Sequence, residues 1–406
     1  MKFDLLTIDN LGKLGRGRSR NRPRDDQSLY GGIYPFVQTG DIKNAPFYIT
    51  SYSQTYNEKG LSQSKLWKRG TLCITIAANI ADTAILAIDA CFPDSILGFT
   101  SYKEKSNTKF VKYCFDVYKT TLEAISKGTT QDNLSLDKLR KVKFRIPPLP
   151  VQHKIAAVLS AYDDLIENNN RRIAILEKMA EELYREWFVR MRFPGHEKVK
   201  IVKSIPEGWK IKRIDEVSQN YDGKRTPLSG LDREKMKGCI PYYGAAKIID
   251  YVDKYIFDGK YLLIAEDGSV ITSEGYPVLQ LVNEKFWVNN HTHVLAGINE
   301  IYSTEWLYLS LIKYPIIGQI TGAAQPKITQ ANLNKINLLT PTEEILIQFN
   351  KKILSAFELI NNILKQNTHI TISRDRLLSR LMSGKIDVEH LDIQSPPSMK
   401  EEEASA

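Results

Sequence analysis

Residues 155–187 read IAAVLSAYDDLIENNNRRIAILEKMAEELYREW. Mostly apolar residues recur in this stretch at alternating steps of four and three, the a/d spacing of a coiled-coil seam. The seam positions are Ile155, Leu159, Tyr162, Ile166, Asn169, Ile173, Leu176, Ala180, Leu183 and Trp187. Prolines at 147, 148 and 150 precede the stretch, and Pro194-Gly195 follows it. The pattern predicts a long helix over 147–192, with a seam about 50 Å long at 1.5 Å per residue.

A second seam lies near the end of the chain and is more polar in its middle. Its positions are Ile353, Phe357, Ile360, Leu364, Asn367, Thr371, Arg374, Leu378 and Leu381. The pattern predicts a second long helix over 341–384, which begins after Pro341 and stops near Gly384. Residues 385–406 are then expected to form a flexible tail.

The two helices are predicted to pair with each other, because the polar middle of the second helix needs a partner. A globular region separates the helices in sequence, so the chain must turn back and the helices should be antiparallel, with one globular domain at each end. A pair of asparagines, Asn169 and Asn367, falls mid-seam, where buried polar groups would fix the register. The alternative, in which each helix packs separately on its own domain, stays open at this point.

The two globular regions resemble each other. Residues 3–11 match residues 209–217 at an offset of 206, and Ile76-Ala77 matches Ile264-Ala265 at an offset of 188. Short apolar runs between Gly, Asn and Asp turns predict strands within each repeat. The expected fold is therefore α+β, with pseudo-symmetric domain 1 over 1–146 and domain 2 over 193–340.

Composition limits the class of protein. Lys and Arg outnumber Asp and Glu by 56 to 47, a net charge of +9 that favours a polyanionic partner. The four cysteines form no CxxC pair, the N-terminus lacks a signal peptide, and no window offers 18 uncharged apolar residues. We expect a reduced cytoplasmic protein without a membrane span.

No catalytic motif is recognisable. There is no GxxxxGK[ST] loop, no dinucleotide fingerprint and no methyl-donor pocket. His291-Thr-His293 has no carboxylate or cysteine at ligand spacing nearby, so no metal site is expected. An enzyme with an unrecognised nuclease or glycosyl site and a pseudo-symmetric protein-binding adaptor remain the alternatives to a nucleic-acid-binding protein.

Basic and polar loops indicate DNA contact in domain 1. Guanidinium groups suit both phosphates and guanine edges, and the alternating arginines after residue 15 are broken by Gly and Pro, as in a loop. The candidate contacts are Lys13, Arg16, Arg18, Arg20, Arg22, Arg24, Lys103, Lys105, Lys109 and Gln131. A solvated basic terminus is the alternative interpretation.

Domain 2 has its own candidates. Asparagine can bind adenine through N6 and N7. The predicted contacts are Lys224, Arg225, Thr226, Asn289, Asn290, His291, His293, Gln325 and Lys327. The alternative is that the Asn and His side chains of 289–293 only satisfy buried turns.

Several phrases together resemble the specificity subunits of Type I restriction-modification enzymes. They are Pro35-Phe-Val-Gln-Thr-Gly-Asp-Ile42, Ile146-Pro-Pro-Leu-Pro150, Gln152-His-Lys-Ile155, Ile205-Pro-Glu-Gly-Trp209 and Asn289-Asn-His-Thr-His-Val294. Domain 1 departs from the pattern because it lacks a Pro-Glu-Gly-Trp entrance. Gln38 and Thr39 in the first phrase, and Tyr243 near the matching Pro241, complete the candidate contacts.

The resemblance implies a non-catalytic subunit with two target-recognition domains and two spacer helices in an antiparallel coiled coil. Each domain would read one half of a bipartite, asymmetric DNA site, with the coiled coil setting the distance between the halves. It implies two methyltransferase subunits as partners, and two restriction (motor-nuclease) subunits where the system has them. S-adenosylmethionine would bind the methyltransferase, so this chain is expected to hold no cofactor.

Overall fold

The computed structural model describes residues 2–21, 23, 25–127, 133–322, 325–396 and 399. The chain divides into two compact units. Unit 1 contains residues 1–170 and 366–406, and unit 2 contains residues 171–365. Within the described ranges, no helix is both long and apolar enough to cross a membrane.

Unit 1 contains eleven strands among its described residues, mostly short. The strands are β1 (Asp4–Leu6), β2 (Gly12–Arg16), β3 (Tyr30–Phe36), β4 (Tyr48–Ile49), β5 (Gln54–Tyr56), β6 (Leu66–Trp67), β7 (Leu72–Thr75), β8 (Thr83–Leu86), β9 (Ala90–Cys91), β10 (Ile96–Ser101) and β11 (Phe144–Ile146). The helices that begin in this unit are α1 (Ile8–Leu11), α2 (Thr39–Asn44), α3 (Glu58–Ser62), α4 (Thr108–Ser126), α5 (Leu136–Lys141) and α6 (Leu149–Tyr184). The strands form a β1-β11 pair, a five-stranded sheet β2-β10-β7-β8-β4 and a four-stranded sheet β5-β3-β9-β6.

Unit 2 is built in a similar order. Its strands are β12 (Ile201–Val202), β13 (Ile205–Pro206), β14 (Lys210–Arg213), β15 (Ser218–Asn220), β16 (Lys237–Tyr243), β17 (Ile248–Val252), β18 (Phe257–Ala265), β19 (Leu279–Val288), β20 (Thr292–Gly297) and β21 (Asn337–Thr340). A π-helical turn (Arg185–Val189) follows α6, and the later helices are α7 (Ile214–Val217), α8 (Gly230–Lys235), α9 (Thr304–Leu311), α10 (Gln330–Leu333) and α11 (Glu343–Met382). The main sheet has the order β15-β20-β18-β19-β16-β17.

The repeat predicted from the sequence is a repeat of topology. In each unit an early strand pairs antiparallel with the strand before the long helix, as Asp4 with Ile146 and Lys210 with Thr340. The strand order β2-β10-β7 then corresponds to β15-β20-β18. In both units a parallel pair completes the pattern, β3 with β9 and β16 with β19. The predicted α+β class with two pseudo-symmetric domains is confirmed.

The sequence match between Ile76 and Ile264 differs by two residues from the equivalence that the strand pairing gives. Phe99 pairs with Leu72 in unit 1, and Leu295, at the corresponding position, pairs with Leu262 in unit 2. The structural offset of these strands is therefore 190, and Ile74 rather than Ile76 is equivalent to Ile264. A shift of two residues leaves every side chain on the same face of a strand, so apolar patterning alone does not detect it.

The long helices are antiparallel within each unit. In unit 1, Asn169 Nδ2 donates to Asn367 Oδ1 at 2.8 Å, and Arg374, further along α11, binds Asp163, which is earlier in α6. The predicted contact between the two asparagines is therefore present, with Asn169 buried and Asn367 partly exposed. In unit 2, the ring of Trp187 lies 5.6 Å from that of Phe349, at the start of α11. The helices therefore pair as predicted.

One seam position is wrong. Leu364 is 48% exposed, whereas its neighbour Ile363 is 1% exposed. A step of three residues from the buried Ile360, instead of four, places Ile363 on the inner face of α11. The seam of α11 therefore departs here from the alternating steps that the sequence suggested.

The end of α11 is set by Gly384. Its φ of 77° lies in the left-handed region that glycine adopts at little cost, and Lys385 N donates back to Arg380 O at 2.9 Å. The following residues pack on unit 1, where Val388 is buried and Lys154 Nζ donates to Glu389 O at 2.7 Å. The flexible tail expected from residue 385 therefore does not begin there.

Candidate nucleic-acid interface

In each unit, the loop that follows one strand, β2 in unit 1 and β15 in unit 2, contacts the chain at or just before the start of the antiparallel partner strand, β10 or β20. In unit 1, Arg18 N donates to Phe92 O, and Arg16 Nε donates to Asp94 O at 2.7 Å. In unit 2, Arg225 Nη1 donates to Thr292 O at 2.9 Å. The residues predicted to contact DNA around Arg16 and Arg225 therefore occupy equivalent places in the repeat.

The loop that follows β2 in unit 1, which includes Arg18 and Arg20 and which we call the arginine loop, presents exposed cations. Arg18 donates through Nε and Nη2 to Ser64 O, at 3.0 and 2.7 Å, so its guanidinium is held in one orientation. Lys13 and Arg20 are also exposed. Arg22, Arg24 and Gln131 lie outside the described residues.

Other candidates of unit 1 differ in accessibility. Gln38 precedes α2, and its Nε2 donates to Gln54 Oε1 at 2.6 Å, while Thr39 is partly exposed as the first residue of that helix. Lys103 and Lys105 are exposed in the turn after β10. The prediction for Lys109 is wrong because this residue is fully buried.

The burial of Lys109 has a local cause. The predicted loop ends at Asn107, whose side chain accepts a hydrogen bond from Phe110 N at 3.1 Å and caps α4. Lys109 consequently lies in the first turn of a packed helix, with its ammonium group 5.5 Å from the ring of Tyr48.

Unit 2 buries three predicted contacts. His293 is 1% exposed, and its Nδ1 lies 2.6 Å from Asp222 while its Nε2 lies 2.8 Å from Ile328 O. Asn289 is buried, and its Oδ1 accepts hydrogen bonds from His291 N and Thr292 Oγ1. Tyr243 is buried and donates to Glu284 Oε1 at 2.7 Å. These side chains are held within the fold, so their assignment to DNA contact is wrong.

Arg225 is also engaged internally. Its Nη1 lies 2.6 Å from Glu266 Oε2, and only 15% of its side chain is exposed. The prediction that it contacts DNA is therefore not supported, although it fixes the loop on which Lys224 and Thr226 are exposed.

The histidine and carboxylates of unit 2 form a compact cluster. Asp222, Glu266 and His293 place ligand atoms within 4.8 Å of one another, although the sequence suggested no carboxylate near the histidines. Burial opposes ionisation, but the hydrogen bond from His293 and the charge of Arg225 lower the pKa of Asp222. Arg225 and Lys327, whose Nζ is 3.2 Å from Glu266, already neutralise the carboxylates. The cluster is therefore a structural ion network.

The exposed candidates of unit 2 form one surface. Glu266 N donates to His291 O, Glu266 O accepts from Ile328 N, and Asp267 bridges Lys327 across a short β contact. These contacts, together with the hydrogen bonds from Arg225 Nη1 to Asn290 O and Thr292 O, bring together residues 224–226, 289–292 and 325–327. We call the resulting surface the polar face. It consists of Lys224, Thr226, Asn290, His291, Gln325 and Lys327.

His291 is the most defined group on the polar face. Its side chain is 50% exposed, and its Nδ1 lies 2.7 Å from Asp267 Oδ1. In a neutral ring with its proton on Nδ1, this nitrogen would donate to the carboxylate and Nε2 would be an acceptor. An acceptor is complementary to the amino groups of adenine and cytosine in the major groove.

The sequence reasoning missed Lys65. Its Nζ lies 3.4 Å from the centre of the Trp67 ring, and it follows Ser64, the residue whose carbonyl holds Arg18. Trp67, two residues further along, was the only signal available in the sequence, because Arg18 and Ser64 are 46 residues apart in the chain.

Three comparisons place the chain among known proteins. A protein-family model described as the Type I restriction modification DNA specificity domain matches residues 2–178 and again residues 206–374. The Type I restriction enzyme MjaIX specificity subunit of Methanocaldococcus jannaschii is 27% identical, over 96% of this chain and 94% of that protein. The HindI specificity subunit of Haemophilus influenzae is 23% identical, over 93% and 98%. The crystal structure of the Type I S subunit from M. genitalium has a TM-score of 0.55 at 18% identity, with coverage of 94% and 96%, and shares the fold.

Proposed function

Because the chain belongs to the Type I restriction modification DNA specificity family, whose domain it contains twice, we propose that each of its units reads one half of a bipartite DNA site. The chain is a DNA sequence-recognition subunit and not itself an enzyme. The observation that carries the two-half proposal is the repeat of topology, in which the same loops are exposed in both units while their side chains differ.

The chemistry of the loops supports this division. Unit 1 presents exposed arginines and lysines, which suit phosphates and guanine edges. Unit 2 presents the polar face, in which amide, hydroxyl and imidazole groups dominate. Such different side chains on equivalent loops would read different base sequences, so the complete site would be asymmetric.

The partners follow from the same role. Relatives of similar length are specificity subunits of Type I restriction enzymes. We propose that this chain binds two methyltransferase subunits and, in a complete system, two restriction subunits. S-adenosylmethionine would bind the methyltransferase, and the assembly would act on DNA in the cytoplasm.

Methylome sequencing tests the proposed function. The chain is expressed with its methyltransferase partner in a host that lacks other DNA methylation. We expect one methylated motif composed of two unlike half-sites separated by a spacer of unspecified sequence. The same methyltransferase without the chain serves as the control and should leave the genome unmodified. A contiguous motif, or methylation that does not require the chain, would contradict the proposal.

A further inference from the structure

Three cations of unit 1 lie close together. They are Lys13 on β2, Arg18 in the arginine loop and Lys65 beside β6, and we call them the basic cluster. Arg18 is fixed on the carbonyl of Ser64, which precedes Lys65 in the chain. Burial and the neighbouring charges of Lys13 and Arg18 lower the pKa of Lys65.

The cluster has a rigid base. Trp67 is buried and stacks on Phe92 with ring centres 5.0 Å apart, and the ammonium group of Lys65 lies 3.4 Å above the Trp67 ring. Two glycines make room for this indole. A Cβ atom at Gly15 would lie 2.8 Å from Trp67, and one at Gly98 would lie 2.6 Å from it. The sequence therefore holds a lysine over an aromatic face, where its stem loses little freedom on binding.

The cluster has no acidic partner in the part of the chain that the structure describes. There, no carboxylate lies within ion-pair distance of Lys13, Arg18 or Lys65. Nearby Lys68, by contrast, lies 2.7 Å from Asp89. Like charges held together without a carboxylate repel one another, so an anion would bind here favourably.

Unit 2 differs in part at the equivalent place. At the offset of 206, Lys13 corresponds to Gln219 and Arg18 to Lys224, while Asp222 of the neutralised ion network takes the position of the neighbouring Arg16. The whole domains differ in the same direction. Residues 1–146 contain 23 Lys and Arg against 14 Asp and Glu, while residues 193–340 contain 18 against 16. Of these two segments, residues 1–146 thus carry the larger excess of positive charge.

We propose that Lys13, Arg18 and Lys65 form a binding site for backbone phosphates of DNA. The site positions unit 1 on the duplex and carries no base sequence information of its own. The inference rests on the proposed function. It assigns part of the salt-dependent affinity for DNA to these three residues of unit 1.

Salt dependence of binding tests the site. The probe is a fluorescent 30-base-pair duplex of arbitrary sequence, titrated with the full chain between 50 and 200 mM KCl. Each phosphate contact contributes about −0.9 to the slope of log affinity against log salt concentration. We expect Lys13→Gln/Lys65→Gln to make the slope shallower by about 1.8, so the variant loses about 12-fold less affinity than the wild type over this range.

Matched variants control for net charge and folding. Lys68→Gln/Arg69→Gln removes two charges from the same unit beside Asp89, and it should leave the slope within about 0.5 of wild type. Lys65→Arg retains a cation and should keep the wild-type slope. Circular dichroism shows whether each variant is folded. If the double variant is not folded, the single variants Lys13→Gln and Lys65→Gln replace it.

The outcomes separate the two proposals. An unchanged slope in Lys13→Gln/Lys65→Gln, or an equal change in both double variants, overturns the phosphate site while the proposed function stands. A wild-type chain whose affinity for the duplex is independent of salt contradicts the proposed function itself.

Discussion

Removing Arg374 should destabilise unit 1 strongly, because it leaves a carboxylate buried without its partner. Asp163 of α6 accepts hydrogen bonds from Tyr113 of α4 and from Arg374 of α11, both at 2.5 Å. Only 4% of the Asp163 side chain is exposed. These three residues join the globular part of unit 1 to both long helices.

The expected cost follows from this burial. Breaking a buried ion pair by removing one partner costs about 3 to 5 kcal/mol. Arg374→Met keeps most of the stem and removes the charge. Some backbone amide hydrogens of α4 exchange with solvent only when unit 1 unfolds. In Arg374→Met we expect these amides to exchange at least about 100-fold faster than in the wild type, since 1.36 kcal/mol corresponds to a factor of ten.

Hydrogen exchange with mass spectrometry measures this effect on peptides from α4. Arg376→Met is the matched control, because Arg376 is exposed on the same helix, and it should change exchange less than threefold. Replacing the whole network by Tyr113→Phe/Asp163→Leu/Arg374→Met should restore stability to within about 1 kcal/mol of wild type or better, since apolar replacements of buried ion pairs are often neutral or stabilising.

The pH dependence has a defined sign. Burial raises the pKa of Asp163, and Arg374 opposes this shift in the wild type. In Arg374→Met the folded protein therefore binds a proton more readily than the unfolded chain, and the deficit in stability should shrink as the pH falls from 7 to 5. Equal effects of Arg374→Met and Arg376→Met, or a deficit that grows on acidification, would refute the reasoning.

Three further outcomes are expected. The purified chain should give no binding heat with S-adenosylmethionine in calorimetry, whereas a stoichiometric heat would contradict the proposal that the cofactor binds the methyltransferase. A hydrogen bond from Lys237 lowers the pKa of Asp250 to about 2. The loss of stability in Asp250→Asn should therefore be present at pH 7 and vanish as the pH falls from 4 to 2. Urea unfolding measures this, and a difference in stability that stays constant with pH would refute it. Gly98→Ala places a Cβ 2.6 Å from Trp67 and should lower the free energy of unfolding by about 1 to 3 kcal/mol, as measured by thermal unfolding. Gly40→Ala places its Cβ in open space and should lower this free energy less. Equal losses in the two variants would refute the packing argument.

The architecture was predictable because it depends on sequence patterns that extend over many residues. A seam of steps of four and three identifies a helix pair whatever its surroundings, and a repeat at a nearly constant offset identifies two copies of one domain. The Asn169–Asn367 pair followed from seam position alone. Local departures, such as Ile363 in place of Leu364, depend on how α11 packs, and no periodic pattern contains that information.

The candidate site was predictable as loops but not as individual side chains. Asn289 and Asn290 are neighbours of the same type, yet the first caps a buried turn and the second is exposed. His291 and His293 differ in the same way. Lys65 and the ion network around Asp222 were missed because tertiary contacts bring together residues that are distant in the chain.

The central claim, that the two units read separate halves of the DNA site, is tested by substitution on the polar face. Asn290→Ala/His291→Ala removes two exposed side chains while leaving the buried Asn289 and His293 in place. Contacts to base edges are worth about 1 to 3 kcal/mol each, so discrimination at the contacted bases should fall about 5- to 150-fold per contact. Asp253→Ala/Lys254→Ala, in the exposed turn between β17 and β18, is the control and should leave the motif unchanged.

Methylome sequencing of cells that express each variant with the methyltransferase partner gives the measurement. The account predicts that Asn290→Ala/His291→Ala relaxes the base requirement in one half-site and leaves the other half-site and the spacer as in the wild type. Relaxation of both half-sites together, or an unaltered motif at wild-type methylation, would contradict it.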